Sequence, residues 1–303
     1  MRTIKPDQTH NRKWILASTG LVLTIFFWSI NTVLARGMVF SIRPLALSFY
    51  RWVSALVFIL PFALPQIKAH WAEIKANLSF LFILSIFSVA LYNSILYLGA
   101  QYTTATNISL VIATMPGITI LLAWLINRER TRWLQITGVI ISVSGMITII
   151  SKGSLSILLG LKFNPGDLLI ILAISSWAIY SVLLRKRQMT IPPIVFLAVL
   201  IAMGVVCIFP FYLWEYFVYG GFELTGNRMG LFVFLGIFPS ILSYICWNYG
   251  VKITGAAIAS VFMYLTPVFT SLLAFFFLDE HLYWYHVAGG LFIFIGLFLS
   301  SSR

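Results

Sequence analysis

Apolar residues run through this chain in long blocks separated by short polar or charged gaps. Residues 76 to 127 contain no charged side chain, and comparable blocks recur to the C-terminus. A helix needs about 20 apolar residues, at 1.5 Å each, to cross a hydrocarbon core about 30 Å thick. The uncharged blocks predict ten such helices near 14–35, 44–65, 78–99, 102–126, 133–151, 167–184, 192–213, 229–250, 253–277 and 283–301, the long third block being split at GAQYTT. No stretch alternates polar and apolar residues over about ten positions between turns, as a membrane β-barrel requires. The pattern therefore predicts an all-α membrane protein, because helices satisfy their own backbone in lipid.

The blocks repeat. At an offset of 151, Gly99, Thr103, Ala105, Ser109 and Pro116 match Gly250, Thr254, Ala256, Ser260 and Pro267. The match continues through Glu129, Trp133 and Gly138 to Glu280, Trp284 and Gly289. Earlier in each half the offset is 149: Trp28, Val33, Leu34, Arg36 and Pro61 answer to Trp177, Val182, Leu183, Arg185 and Pro210. Each half holds five helices, and an odd number sends the second half into the membrane in the opposite sense. The expected architecture is ten transmembrane helices in two inverted five-helix repeats: a cytoplasmic segment 1–13, a first repeat 14–151, a linker 152–166 and a second repeat 167–301. Such pairs of repeats carry solute sites near the bilayer midplane, and paired interruptions of corresponding helices point to them. Pro116 and Pro267 are the predicted kinks or gating elements.

Composition agrees with the pattern. The chain is 60% hydrophobic and 9% charged, outside the range of soluble domains. A net charge of +12 would suggest nucleic acid in a soluble chain, but here the basic residues fall in the gaps and act as topology signals. With the N-terminus inside, fourteen Lys and Arg lie on the cytoplasmic side and five outside, namely Arg36, Arg43, Lys152, Lys162 and Arg228. That predicts both termini in the cytoplasm, with membrane lipid as the surrounding partner and no nucleic acid. Cys207 and Cys246 sit in apolar runs and read as small buried hydrophobes.

No Asp or Glu falls in the middle of a predicted span: Asp167, Glu129, Asp279 and Glu280 fall at ends, and Glu215 and Glu223 are assigned to a loop. Ion-coupled carriers place a titratable group at membrane depth, so the sequence favours a facilitated carrier. Arg51 lies inside the second span, where an arginine costs about 2.5–3.5 kcal/mol on insertion scales. It reads either as an anchor for a substrate carboxylate or helix carbonyl, or as a side chain snorkelling to the interface. The third span carries Tyr92, Asn93 and Tyr97 and the eighth Tyr244, Trp247 and Asn248. The first and sixth add Trp28, Asn31, Trp177 and Tyr180. Asparagines facing lipid are expensive, so this set predicts a polar, aromatic-lined substrate cavity. No phosphate loop, metal-ligand spacing or nucleophile constellation occurs, so neither a cofactor nor enzymatic chemistry is expected.

The Glu129…Trp133-Leu-Gln-Ile-Thr-Gly138 segment with its echo at Glu280, Trp284 and Gly289, the mid-helix prolines, Arg51 and the duplicated plan resemble the EamA-type family of the drug/metabolite transporter superfamily. The resemblance implies a cavity lined by helices 1, 3, 4, 6, 8 and 9 and export of amino acids or similar small metabolites, with a bacterial inner membrane as the setting. Two other readings stay open: a nucleotide-sugar or sugar-phosphate exchanger, which needs several cavity Lys or Arg for phosphate, and a membrane enzyme or sensor, which needs buried acid, base or metal groups.

Overall fold

The computed structural model describes residues 8–38, 41–102, 108, 111–112, 114–128, 132–151, 153–160, 165–187, 189–277 and 283–301. The expectations for Glu129, Asp279 and Glu280 lie outside these. Among the described residues there is no strand. The helices are α1 (Gln8–Met38), α2 (Pro44–Ile67), a short α3 (Trp71–Ala76), α4 (Leu78–Gly99), α5 (Met115–Asn127) and α6 (Trp133–Ile150). They continue with α7 (Leu155–Leu159), α8 (Pro165–Leu183), α9 (Pro193–Tyr219), α10 (Gly226–Thr254), α11 (Ala256–Val261), α12 (Leu265–Phe277) and α13 (Trp284–Ser301).

Six of these are long and apolar enough to cross a membrane: α2, α4, α8, α9, α10 and the part of α1 from Asn11 to Leu34. Four shorter apolar stretches, Met115–Asn127, Trp133–Gly145, Ala256–Thr270 and Val287–Ser300, stand where the remaining spans are expected. Proline opens α2, α8 and α9, where its missing N–H costs nothing and its fixed φ suits the first turn. Bulky apolar side chains such as Phe62, Val206, Phe217 and Phe298 stand exposed on the helices' outer faces. A face of that kind is a liability in water and is what lipid contact requires.

Contacts between the two halves come in exchanged pairs. A Cβ on Gly138 would lie 2.5 Å from the Gly296 carbonyl oxygen, and one on Gly145 2.5 Å from that of Gly289. The numbers fall along α13 as they rise along α6, so these two helices are antiparallel. Gly289 and Gly296 are the 151-offset counterparts of Gly138 and Gly145, so the two contacts are one contact seen twice, as at an isologous two-fold interface. A Cβ on Gly99 would likewise meet Ile170, and one on Gly250 would meet Leu21, where Gly250 answers to Gly99 and Ile170 to Leu21 at the two sequence offsets. Residues that answer to one another also touch directly. Trp28 and Trp177 meet ring to ring at 5.0 Å, the Asn93 amide donates to the Tyr244 hydroxyl at 3.3 Å, and the Ser142 hydroxyl donates to the Ile293 carbonyl at 3.5 Å. Self-touching pairs can occur only along a two-fold axis, which therefore runs through the middle of the bundle.

Two helices are wound differently in the middle. Ile86–Leu91 within α4 and Gly236–Leu242 within α10 are π-helical, and a shift of 151 lays one on the other. In α10 the wider turn accommodates Pro239, with the Ser240 and Ser243 hydroxyls donating five residues back to the Leu235 and Phe238 carbonyls at 2.7 and 2.9 Å. Single π turns inside α-helices recur at functional sites. The predicted prolines behave differently from a mid-helix kink. Pro116 stands in the first turn of α5. Pro267 stands in the first turn of α12, just after the 3₁₀ turn Phe262–Tyr264 that separates it from α11. Each proline thus opens a new α segment instead of bending a continuous one.

One sequence assignment is corrected. Glu215 belongs to α9, not to a loop, and is buried. The uncharged run ended before it, yet its carboxylate is held by the free N-terminus of α2: the Leu45 and Ala46 N–H groups donate to Oε1 and Oε2 at 3.1 and 2.7 Å. A carboxylate there answers both the unpaired amides and the positive end of the helix dipole.

Candidate functional site

The ten residues expected to line a cavity do converge, on the axis, from α1, α4, α8 and α10. Trp177 is the hub. Its ring lies 5.0 Å from Trp28, 4.9 Å from Tyr92, 5.0 Å from Tyr180, 4.9 Å from Tyr244 and 5.6 Å from Trp247. Tilted and edge-to-face pairs of this kind add about 0.5–1.5 kcal/mol each beyond area burial. All of these rings are buried.

Hydrogen bonds fix their polar ends. Trp28 Nε1 donates to the Pro239 carbonyl at 2.9 Å, Trp247 Nε1 to the Ser181 hydroxyl at 3.0 Å, and the Tyr244 hydroxyl to the Ser88 carbonyl at 2.7 Å. The Ser88 and Pro239 carbonyls both belong to the π turns, so the irregular winding presents acceptors to the cluster. Tyr97 donates to Asn31 Oδ1 at 3.0 Å, and Tyr180 to Asn248 Oδ1 at 2.5 Å. Asn248 answers to Tyr97 and Tyr180 to Asn31. The tyrosine–asparagine bond therefore occurs twice with its two residue types exchanged between halves.

Arg51 does not snorkel; it is 1% exposed. Its Nε donates to Ser240 Oγ at 2.6 Å, Nη1 to Asn93 Oδ1 at 2.7 Å and to the Tyr97 hydroxyl at 2.9 Å, and Nη2 to the Pro239 carbonyl at 3.0 Å. A longer contact of 3.5 Å joins Nη1 to Asn31. All five acceptors are neutral. Bonds with one charged partner contribute about 1.5–3 kcal/mol each, enough together to offset a burial penalty of several kcal/mol. A guanidinium has five N–H groups, and four of them are taken by the shorter contacts, which leaves one on Nη2 for another acceptor. Leu200, the residue answering to Arg51 at the 149 offset, carries no charge, so this feature belongs to one half only.

The residues pack closely instead of enclosing an open chamber. A cavity of about 20 Å³, room for about one water, is lined by Trp28, Asn31, Tyr92 and Asn93, with Ile112 and Thr266 closing it from the proline-bearing segments. The Trp177 Nε1 and the hydroxyls of Thr266 and Thr270 are buried without a hydrogen-bond partner. Buried polar atoms are nearly always paired; Trp52 Nε1 and the hydroxyls of Ser18 and Ser54 are the other exceptions among the described residues, and Thr266 is the one that lines the small cavity.

At the end of the bundle where α4 begins, the α2–α4 and α8–α9 connections are tied together. Glu73 Oε1 accepts from the Thr190 N–H at 2.8 Å, Oε2 from its hydroxyl at 2.5 Å, and Arg187 donates to Asn77 at 2.9 Å. The Thr190 bonds hold the Glu73 carboxyl below its ordinary pKa.

A bundle of apolar helices built twice about an axis, with its polar and aromatic residues gathered there, defines a duplicated integral membrane protein. The EamA-like transporter family matches residues 15–151 and again 164–302, and the chain belongs to that family. It is 27% identical to an uncharacterized transporter of Archaeoglobus fulgidus over 93% of this chain and 96% of that one. It is 25% identical to the uncharacterized transporter YyaM of Bacillus subtilis, covering 76% and 75%. A protein crystal structure of 17% identity shares the fold with a TM-score of 0.73 over 96% of each chain. The chain is a membrane transporter of the drug/metabolite superfamily.

Proposed function

We propose that the protein is a secondary carrier exporting amino acids or similar small metabolites, with both termini in the cytoplasm of a bacterial inner membrane. The observation that carries this is the convergence of polar and aromatic residues from both halves on the two-fold axis, around unpaired buried donors. Inverted halves of this kind alternate access by rocking about a fixed midplane site. In that cycle the present packing is an occluded arrangement, tied at one end by Glu73 and Thr190. Arg51, with one N–H left over, is the anchor for a solute carboxylate, and the rings accept an apolar body. Among the described residues no carboxylate joins the central cluster, which supports transport driven by the solute's own gradient instead of being tied to protons. A lone arginine does not suit a sugar phosphate or nucleotide, which calls for several cations.

The test is uptake by liposomes holding the purified protein, against a panel of amino acids, sugars, nucleosides and cationic dyes. Tyr92→Ala and Trp177→Phe should reduce transport of the accepted solute at least tenfold while the protein remains folded. Collapsing a pH gradient should leave the rate intact. Unchanged rates in both variants would remove the site assignment, and strict dependence on the pH gradient would remove facilitated transport.

A further inference from the structure

Away from the axis, a pocket of about 430 Å³ opens between the start of α2 and the end of α9. Its size is that of a small-molecule site. Its walls are Tyr50, Tyr212, Tyr216, Tyr219 and Phe222, with Glu215 behind them. The rings are braced: Tyr212 stacks on Phe49 at 4.5 Å and 4°, its hydroxyl lies 3.2 Å from that of Tyr50, and Phe222 packs against Tyr50 at 5.2 Å. Gly220, at φ 81°, makes the turn that carries Phe222 back over the opening, a conformation glycine adopts without penalty.

The pocket's lining joins aromatic rings and one carboxylate, Glu215, with a single cation, Arg43. Ring faces are the negative ends of aromatic quadrupoles. Glu215, 4% exposed, adds to the lining a carboxylate whose two oxygens each accept a backbone N–H. A cation already rests on this wall: the Arg43 guanidinium carbon lies 4.4 Å from the centre of the Tyr219 ring. Arg43 is an exposed side chain that can swing away.

We propose that this pocket binds an organic cation of the quaternary-ammonium class, held on the tyrosine faces in front of Glu215, and that Arg43 is its tethered competitor. The site is separate from the axial cluster, so it stands or falls apart from the carrier reading.

Calorimetric titration of the purified full chain with choline and with its uncharged isostere 3,3-dimethylbutan-1-ol tests this. Choline should bind at least tenfold more tightly than the isostere. Tyr219→Leu and Tyr212→Leu should each weaken choline about threefold, the scale of a cation–π contact at an exposed site such as Tyr219, which is 54% exposed, and Tyr219→Phe should retain it. Arg43→Gln should strengthen binding by removing the competitor. Equal binding of the isostere, no choline binding, or weaker binding in Arg43→Gln would overturn the proposal. So would a choline affinity lost in Trp177→Phe but intact in Tyr219→Leu, which would place the cation at the axis and leave the carrier reading untouched.

Discussion

Arg51 puts a formal charge in the interior and surrounds it with a serine, two asparagines, a tyrosine and a proline carbonyl. Because two of those acceptors, Pro239 and Ser240, belong to the second half, the guanidinium also ties the halves together. Tyr97 occupies the centre of this arrangement: it accepts from Arg51 and donates to Asn31. Tyr180, its exchanged counterpart, has only the bond to Asn248, which is half-buried. Removing the Tyr97 hydroxyl should therefore destabilise the protein by about 2 kcal/mol and removing that of Tyr180 by about 1 kcal/mol. Unfolding titrations of Tyr97→Phe and Tyr180→Phe in mixed micelles measure the order, and an equal or reversed order would contradict it. The residue types at this site were legible in the sequence, since asparagine and arginine in apolar runs must face something other than lipid. What Arg51 touches was not, because snorkelling and inward pointing differ only in the rotation of α2, which packing against α9 and α10 sets.

At the scale of elements, the runs free of charge locate most of the described helix ends to within about six residues, because the bilayer imposes both length and composition, whereas α5 begins at Met115, well inside its run, and the run 253–277 is divided between α11 and α12. Two features escape that rule. The π turns of α4 and α10 follow from five-residue hydrogen bonding, which has no hydrophobic period of its own; only Pro239 in α10 hints at one. Glu215 was assigned to a loop because its charge ends the run, whereas the unpaired amides of α2 allow the helix to keep it. The antiparallel contact of α6 and α13 gives the sharper test. It depends on Gly138, Gly145, Gly289 and Gly296 letting backbones approach, the way membrane helices associate through small residues. Gly138→Ala would press a methyl group into Ser300 and the Gly296 carbonyl and should destabilise the protein by about 1–3 kcal/mol. Gly117, in α5, has nothing within 4 Å of a built Cβ, so Gly117→Ala should be neutral or stabilising by up to about 1 kcal/mol. Thermal unfolding of the two variants side by side checks the contrast; equal losses would remove the close-packing argument.

For the molecule as a whole, the sequence repeat and the spatial contacts describe one symmetry. A repeat alone cannot say whether its copies face the same way; the parity of the helix count predicts opposite senses, and the exchanged glycine contacts give an antiparallel crossing. The axis then falls where tryptophan meets tryptophan and asparagine meets tyrosine, which is why the candidate site lies there. The halves are not identical on it: Arg51 has no charged partner across the axis, and a solute there would meet one cationic and one neutral side. The substrate was not legible, because close-packed aromatic rings accept many apolar bodies and only a bound molecule distinguishes them.

The account rests on the two halves entering the membrane in opposite senses. Ala76, the last residue of α3 two positions before α4, and Asn227, in the first turn of α10, are exposed residues at corresponding positions of the two halves. Ala76 lies by the Glu73–Thr190 tie at one end of α9, and Asn227 just beyond the turn that follows its other end, some 40 Å away at 1.5 Å per residue. With Cys207 and Cys246 replaced by serine, Ala76→Cys and Asn227→Cys should each react with a membrane-impermeant maleimide from one side only, and from opposite sides. Labelling of both from the same side of intact vesicles would contradict the inverted arrangement and, with it, a solute pathway on the axis.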